Sequence, residues 1–280
     1  MKILEENGKD SNYFQELTNL ALLQIEINEF VDAEKNLQEC LKHFKLQKDP
    51  LGKAAVYGLL GVVFFKSKEY DDSIESYNIA YKIYKELNQH KEEIICLIGM
   101  GNALIKLNEW DKACDIFLEC CTICSKSDDI YNLLDCLGNL IHIHEMRENW
   151  DVVKELYKKT LEAFEELRDF RGIITSNFNL GILEKKENNY QKALNYFEKG
   201  TQRAKESNYS EMIIKGLSYI GEVLFYLGNI KSAKNYYIEA LKIAKEVNAK
   251  NAIIQINVLL NSFGLNDEQI NKELNKLNDN

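Results

Sequence analysis

Residues 97–117 have the sequence LIGMGNALIKLNEWDKACDIF, and the spacing within this stretch decides how the chain folds. A glycine, Gly101, is followed by an aromatic residue at Trp110, a small residue at Ala113 and a second aromatic residue at Phe117. Apolar residues three and four positions apart share one face of a helix. The stretch therefore predicts two amphipathic helices that are joined by a short polar turn.

The same pattern recurs at an interval of 40 residues, without an insertion. The first aromatic or aliphatic position holds Phe30, Tyr70, Trp110, Trp150, Tyr190 and Ile230. The small position that follows holds Ala33, Ser73, Ala113, Val153, Ala193 and Ala233. The glycine position of the preceding helix holds Ala21, Gly61, Gly101, Ile141, Gly181 and Gly221. Self-similarity at a fixed period of this length is typical of a solenoid.

This order of small and aromatic positions resembles the tetratricopeptide repeat (TPR), over roughly residues 13–262. The period is longer than usual for that family, and the only proline is Pro50. The chain is therefore most similar to the long-repeat members: the LGN/Pins adaptors, the kinesin light chains and the Rap-type peptide sensors. The resemblance implies an all-α fold, a right-handed α-solenoid (superhelix) of antiparallel helix pairs.

The register of the repeats predicts the division of the chain. We expect a disordered N-terminus over residues 1–10, and a solenoid over 11–262 with six full 40-residue repeats and the first helix of a seventh. A shortened capping helix is expected within 263–280. The first helix of each repeat (helix A) is predicted at 13–28, 52–67, 91–107, 130–147, 171–187 and 210–227. The second (helix B) is predicted at 30–46, 70–88, 110–126, 150–168, 190–206 and 230–247.

Composition limits the kinds of partner. The formal net charge of −9 argues against binding to nucleic acid or to an anionic membrane surface, since both need a cationic footprint. No apolar run approaches the ~20 residues that span a bilayer, and residues 1–8 lack the apolar core of a signal peptide. We expect a cytoplasmic protein. The sequence leaves its oligomeric state open.

The seven cysteines include the motif Cys121-x-x-Cys124, whose two thiols share a helix face and could serve metal or redox chemistry. The alternative is packing, because Cys120 takes the repeat position of Ala80 and Ala240. No second Cys or His pair accompanies the motif at zinc spacing. We predict buried thiols without a disulfide or a metal.

No catalytic constellation is present in the sequence. The phosphate-binding loop, the zinc-protease motif and the nucleophile elbow are all missing. His142 and His144 are two positions apart on a helix, so their side chains diverge and cannot share one metal. We predict a protein that is not an enzyme and that has no catalytic residue, cofactor or metal.

Binding is the remaining function, and the resemblance places it on the inner wall formed by helices A. The candidate groove residues are Lys66, Asn102, Lys106, Asn139, His142, Asn179, Lys186, Tyr219 and Tyr226. An asparagine amide can pair with both groups of a peptide backbone, and the lysines would meet carboxylates. The alternative is a solvated face, whose lysines offset nearby glutamates and whose apolar residues pack against the next helix A.

We therefore predict a protein–protein interaction scaffold or adaptor that binds a peptide or helical segment of another protein in its groove. The alternative is a regulatory peptide-sensing TPR protein whose superhelix changes shape on binding. That class usually carries an N-terminal effector domain, for which the ten residues before the first repeat are too few.

Overall fold

The computed structural model describes residues 11–278, and every regular element in that range is a helix. The helices are α1 Ser11–Glu26, α2 Phe30–Leu46, α3 Pro50–Lys66, α4 Tyr70–Glu86, α5 His90–Lys106, α6 Trp110–Lys126, α7 Ile130–Met146, α8 Trp150–Leu167, α9 Phe170–Lys186, α10 Tyr190–Glu206, α11 Ser210–Tyr226, α12 Ile230–Glu246, α13 Lys250–Ser262 and α14 Asp267–Asn278. The all-α fold is confirmed. The disorder predicted for residues 1–10 lies outside the described residues.

The predicted helix boundaries agree with the structure to within two residues. Odd-numbered helices from α1 to α13 are helices A, and even-numbered helices from α2 to α12 are helices B. Pro50 occupies the first position of α3, where its missing N–H costs no hydrogen bond, and the Asp49 carboxylate accepts the N–H of Gly52 at 3.0 Å. The start of this helix is therefore fixed by its own sequence.

A residue with positive φ ends nearly every helix and recurs every 20 residues. These residues are Asn28, Lys48, Lys68, Asn88, Asn108, Asp128, Glu148, Arg168, Asn188, Asn208, Gly228 and Asn248. Asparagine holds six of these positions, because its short polar side chain tolerates the left-handed region. In the third repeat, Glu109 N–H donates to Leu104 O at 2.9 Å across such a turn. Part of the high asparagine content is therefore a requirement of the turns.

The chain divides into two compact units, Met1–Ile143 and His144–Asn280. In the first unit α1 packs on α2, α3 on α4, and α5 on α6; in the second, α9 packs on α10, and α11 and α13 pack on α12. Each unit is thus a stack of antiparallel helix pairs, and the fold is an all-α solenoid. The handedness of the superhelix and the division into repeat and cap domains stay predictions.

The recurrent glycine and the recurrent aromatic residue form one contact within a repeat. A Cβ placed on Gly101 would lie 2.6 Å from Cζ of Phe117, so the ring rests directly on the glycine. The pairs Gly61–Tyr77, Gly181–Phe197 and Gly221–Tyr237 repeat the arrangement. This close approach of helix A to helix B explains why the pattern demands a small residue beside a large one.

Candidate binding groove

In the first unit, the candidate groove residues lie on α3, α5 and α7. Lys66 and Lys106 are the last residues of α3 and α5, and both are exposed to solvent. Asn102 is half-buried, one turn before Lys106. An exposed lysine beside a partly accessible amide is compatible with binding a peptide, although a solvated face would present the same groups.

Two more candidates lie on α7. Asn139 is half-buried, and its amide donates to the backbone oxygen of Asp135 at 3.1 Å, so it has an intrahelical partner. His142 is exposed, and its ring lies edge-on to Trp110 with centroids 6.4 Å apart. The amide oxygen of Asn139 and the ring of His142 can both meet a ligand from solvent.

In the second unit, Asn179 is half-buried and Lys186 is the last residue of α9. The Lys186 ammonium lies 4.3 Å from the centroid of the Trp150 ring, a cation–π contact. Tyr226, the last residue of α11, stacks on Tyr190 with ring centroids 5.1 Å apart. In both cases the last residue of a helix A covers the aromatic side chain at the first position of the preceding helix B. One of the three predicted groove lysines, Lys186, thus already has a partner within the chain.

A continuous groove, here called the α11–α13 groove, separates the two last helices A. Two cavities of about 920 Å³ and 480 Å³ share Ser218, Tyr219 and Leu259. The α11 wall consists of Glu211, Ile214, Lys215, Ser218, Tyr219, Glu222, Phe225 and Tyr226. The α13 wall and its flanks include Asn251, Gln255, Ile256, Leu259, Ser262 and Phe263. Of the candidates predicted from sequence, the groove brings together Tyr219 and Tyr226.

The aromatic residues of the α11 wall are held by other rings. Tyr219 stacks on Phe197 with centroids 4.8 Å apart and meets the edge of Phe178 at 5.6 Å. Phe225, which is 45% exposed, packs against Phe263 at 5.3 Å. These contacts fix the rings before any ligand arrives, so little side-chain entropy is lost on binding.

Exposed aliphatic side chains of α13 were not included in the groove prediction. Ile254 is 62% exposed, Val258 is 63% exposed and Leu259 is 39% exposed, and all three border a separate open cavity. Of the three, only Leu259 also lines the α11–α13 groove. The signal was present in the sequence, since Val258 and Leu259 follow Ser218 and Tyr219 by one period. These three side chains form a small exposed apolar cluster on α13.

Polar groups lie along the same groove. Lys185 Nζ and Glu222 Oε2 form an ion pair at 2.7 Å between α9 and α11. The Lys215 ammonium lies 5.9 Å from the Tyr219 ring centroid, and the Ser218 hydroxyl donates to the backbone oxygen of Ile214 at 2.8 Å. The groove therefore has an apolar floor and a rim that carries both charges, as protein interfaces do.

The second histidine on α7 differs from His142. His144 is half-buried, and burial lowers its pKa below the usual value. Its Nδ1 lies 3.3 Å from the amide nitrogen of Asn149. His142 is instead exposed to solvent, with its ring against Trp110. The two histidines of α7 therefore lie in different environments.

Between residues 11 and 278, no helix combines the length and the apolar character that crossing a bilayer requires.

Family profiles described as tetratricopeptide repeat match residues 52–126, 174–207 and 216–251. These ranges fall on the helix pairs whose 40-residue register the structure displays. The chain belongs to the tetratricopeptide-repeat family. The TPR register therefore accounts for both the sequence pattern and the helices.

A curated relative of this TPR protein is the response regulator aspartate phosphatase I of Bacillus subtilis (strain 168), 24% identical over 199 residues. The match covers 68% of this chain and 48% of the relative, so the chain spans about half the length of that relative.

Solved structures share the fold. The apo form of RapI is 19% identical with a TM-score of 0.56, and the alignment covers 94% of this chain and 99% of that one. The STAND signal-transduction ATPase with a TPR sensor from Pyrococcus horikoshii is 15% identical with a TM-score of 0.62, covering 95% and 41%. A putative kinesin light chain from Podosopora anserina is 12% identical with a TM-score of 0.54, covering 70% and 96%.

Proposed function

We propose that this TPR protein is a non-enzymatic adaptor or scaffold that binds a peptide or helical segment of another protein on the faces of its helices A. The α11–α13 groove is the observation that carries the proposal. It joins preorganised aromatic rings on α11 to the exposed side chain of Leu259 on α13. Its lining offers no histidine to serve as a base, and its two serine hydroxyls, those of Ser218 and Ser262, both donate to the backbone of their own helices.

The shape of the groove favours an amphipathic helix as its occupant. The lining residues of α11 follow each other at three- and four-residue steps from Glu211 to Tyr226, so the groove runs along the helix axis. At about 1.5 Å per residue, this distance is roughly 22 Å, or four helical turns. A partner helix would insert its apolar residues between Tyr219 and Leu259 and leave its polar face in water.

The residues predicted from sequence, Asn102, Lys106, Asn139, Asn179 and Lys186, stay a proposal for a peptide of acidic character. Partial accessibility of the three amides and exposure of Lys106 support it. Lys186 would have to leave the Trp150 ring, at a cost of about 0.5–1 kcal/mol for an exposed cation–π contact.

The test is selection of helical peptides from a display library on the full chain, followed by affinity measurements with variants. Leu259 borders both cavities of the groove and is 39% exposed. Leu259→Glu places a carboxylate in the groove, and we expect it to weaken the selected peptides at least tenfold, or by about 1.4 kcal/mol. Leu118→Glu is the matched control, because Leu118 is an exposed leucine (53%) on α6, a helix B. Equal affinity of the peptides for Leu259→Glu and the wild type would refute groove binding.

A second variant examines two of the predicted asparagines. Asn139 and Asn179 are replaced by alanine, which helical positions tolerate. If the partner contacts these asparagines, the double variant should lose roughly 1–3 kcal/mol of binding free energy for each amide that the ligand buries. If the affinity of the double variant equals that of the wild type, the ligand binds elsewhere on the chain and does not contact these two amides.

The second candidate function is a peptide-sensing regulator. It is favoured by the B. subtilis relative, whose name states that it is a response regulator aspartate phosphatase, and by the shared fold of apo RapI. In this case a selected peptide would change the shape of the solenoid. Small-angle scattering with saturating peptide separates the two, since an adaptor keeps its radius of gyration and a sensor does not.

A further inference from the structure

Three thiols meet between α6 and α7 in the first unit. Cys120, Cys124 and Cys136 are buried, and their three Sγ atoms all lie within 4.8 Å of one another. The Sγ atoms of Cys120 and Cys124 are 4.0 Å apart. Cys121, the next residue along α6, is half-buried. No disulfide joins any of the seven cysteines, which all lie in the described residues.

The separation of 4.0 Å between Cys120 and Cys124 is that of two thiolates on one metal ion, and Cys136 lies within 4.8 Å of both, so a small closing movement would complete the set. Sulfur ligands bind Zn²⁺ at about 2.3 Å, which places two ligands of one ion about 3.8 Å apart in a tetrahedral site and about 4.0 Å apart in a trigonal one. Neither a carboxylate nor an imidazole joins the three buried thiols. A donor set made only of sulfur selects soft ions and rejects Mg²⁺ and Ca²⁺, which prefer oxygen.

The other repeats fill the equivalent positions differently. The sets that correspond to Cys120, Cys124 and Cys136 are Cys40, Phe44, Val56; Ala80, Tyr84, Cys96; Thr160, Phe164, Ser176; Gly200, Ala204, Gly216; and Ala240, Ala244, Ile256. Three of these five sets pack an aromatic ring in the layer. Between α6 and α7 there is no such ring, and both helices contribute cysteine sulfur instead. Helix packing in the solenoid does not by itself explain this cluster.

We propose that Cys120, Cys124 and Cys136 form a three-thiolate site for a soft d¹⁰ metal ion, Zn²⁺ or Cu⁺. As each metal–sulfur bond forms, the thiol releases its proton to solvent and the oxidation state of the ion does not change. The ion would tie helix B of the third repeat to helix A of the fourth.

This proposal departs from the sequence-based expectation that Cys121-x-x-Cys124 only packs. The sequence shows those two thiols, but it does not show that Cys136 of the next helix points into the same layer. Cys120, Cys124 and Cys136, rather than the motif itself, provide the three buried ligands.

The experiment uses the full chain, reduced with a non-thiol reductant and kept without oxygen. Titration with Cd²⁺, followed by cadmium–thiolate absorption in the ultraviolet, is expected to saturate at one ion per chain. Competition with chelators then gives separate dissociation constants for Zn²⁺ and for Cu⁺, which identifies the preferred ion. X-ray absorption of the loaded wild type is expected to show three sulfur ligands near ~2.3 Å.

Native residues of other repeats supply variants that should fold. Cys120→Ala copies Ala80, Cys124→Ala copies Ala204, and Cys136→Ser copies Ser176. Each is expected to weaken metal binding at least tenfold. Cys40→Ala is the matched control, because Cys40 is equally buried in the same repeat position but lies outside the cluster.

Three results would overturn the site: less than one ion bound per reduced chain, equal affinity of Cys120→Ala and Cys40→Ala, or an absorption spectrum without sulfur ligands. If a variant does not fold, the wild-type stoichiometry and spectrum still decide. Mass spectrometry of protein purified in air tests for one further outcome, a disulfide. A disulfide at Cys136, together with no ion bound after reduction, would make the cluster a redox pair instead.

Discussion

Gly101 and Gly138 are both glycines inside helices, but only one of them is covered by a ring. The Phe117 ring lies where a Cβ of Gly101 would be, whereas nothing lies within 4 Å of the Cβ position of Gly138. Alanine gains about 1 kcal/mol of helix propensity at either site. We expect Gly138→Ala to stabilise the protein by up to ~1 kcal/mol, and Gly101→Ala to destabilise it by roughly 1–2 kcal/mol through overpacking. Urea denaturation measures the free energy of unfolding of both variants. If both variants changed it in the same direction, the contact of the Phe117 ring with Gly101 would be contradicted.

Two buried tyrosines give the stability a dependence on alkaline pH. Burial raises the pKa of Tyr84 and of Tyr237 to about 12, from 10.0. Because the folded pKa is raised, the contribution is fully present below about pH 10 and is lost as the pH rises to about 12. The loss reaches at most ~1.4 kcal/mol per pH unit for each tyrosine.

Phenylalanine at these two positions removes the ionisable group. Phe44 and Phe164 occupy the repeat position of Tyr84, and Phe117 and Phe197 that of Tyr237, so both substitutions fit the layer. The double variant Tyr84→Phe, Tyr237→Phe is expected to lose stability less steeply between pH 10 and pH 12. The test is the free energy of unfolding of the wild type and the double variant, measured between pH 10 and pH 12. If both lose stability with the same slope against pH, neither tyrosine causes the pH dependence.

At the scale of helices, the joint between α8 and α9 depends on a mostly buried ion pair. Lys154 Nζ lies 2.6 Å from Glu187 and 3.3 Å from Glu184, whose side chain is only 6% exposed. Lys154→Ala would leave the Glu184 carboxylate without its cation, and we expect a loss of roughly 1–3 kcal/mol. Lys158→Ala is the control, because its pair with Glu155 lies within one helix and is more exposed. Lys158→Ala should lower the free energy of unfolding, measured by denaturation, by less than ~0.5 kcal/mol.

The sequence predicts helices better than it predicts which side chains meet between them. Helix boundaries follow from apolar periodicity and from turns such as Asn108-Glu109, which are local. The contact of Lys186 with Trp150 and the approach of Cys136 to Cys120 depend on how helices pack, and no local rule specifies them. Tyr219 and Tyr226, which the sequence analysis selected, line the α11–α13 groove. Leu259 of α13 also lines it and was not selected, although its repeat position is that of Tyr219.

For the molecule as a whole, the repeat register predicts that one period can be removed. Deletion of residues 70–109, which are α4, α5 and their turns, joins the turn after α3 to Trp110. Gly61 would then meet Phe117 in place of Tyr77, a residue of the same repeat position. Since stability in a solenoid is approximately a sum over units and their interfaces, the shortened chain should fold with lower stability but with the same helical fraction.

A control deletion separates register from mere shortening. Removal of residues 70–107 leaves two extra residues at the junction, so the turn after α3 no longer meets the start of α6 in register. We expect circular dichroism to show native helicity per residue for the 40-residue deletion. The 38-residue deletion should lose helicity or unfold with a broader transition. If both deletions behave alike, the glycine–aromatic contacts do not set the register, and the spacing of 40 residues would need another physical cause.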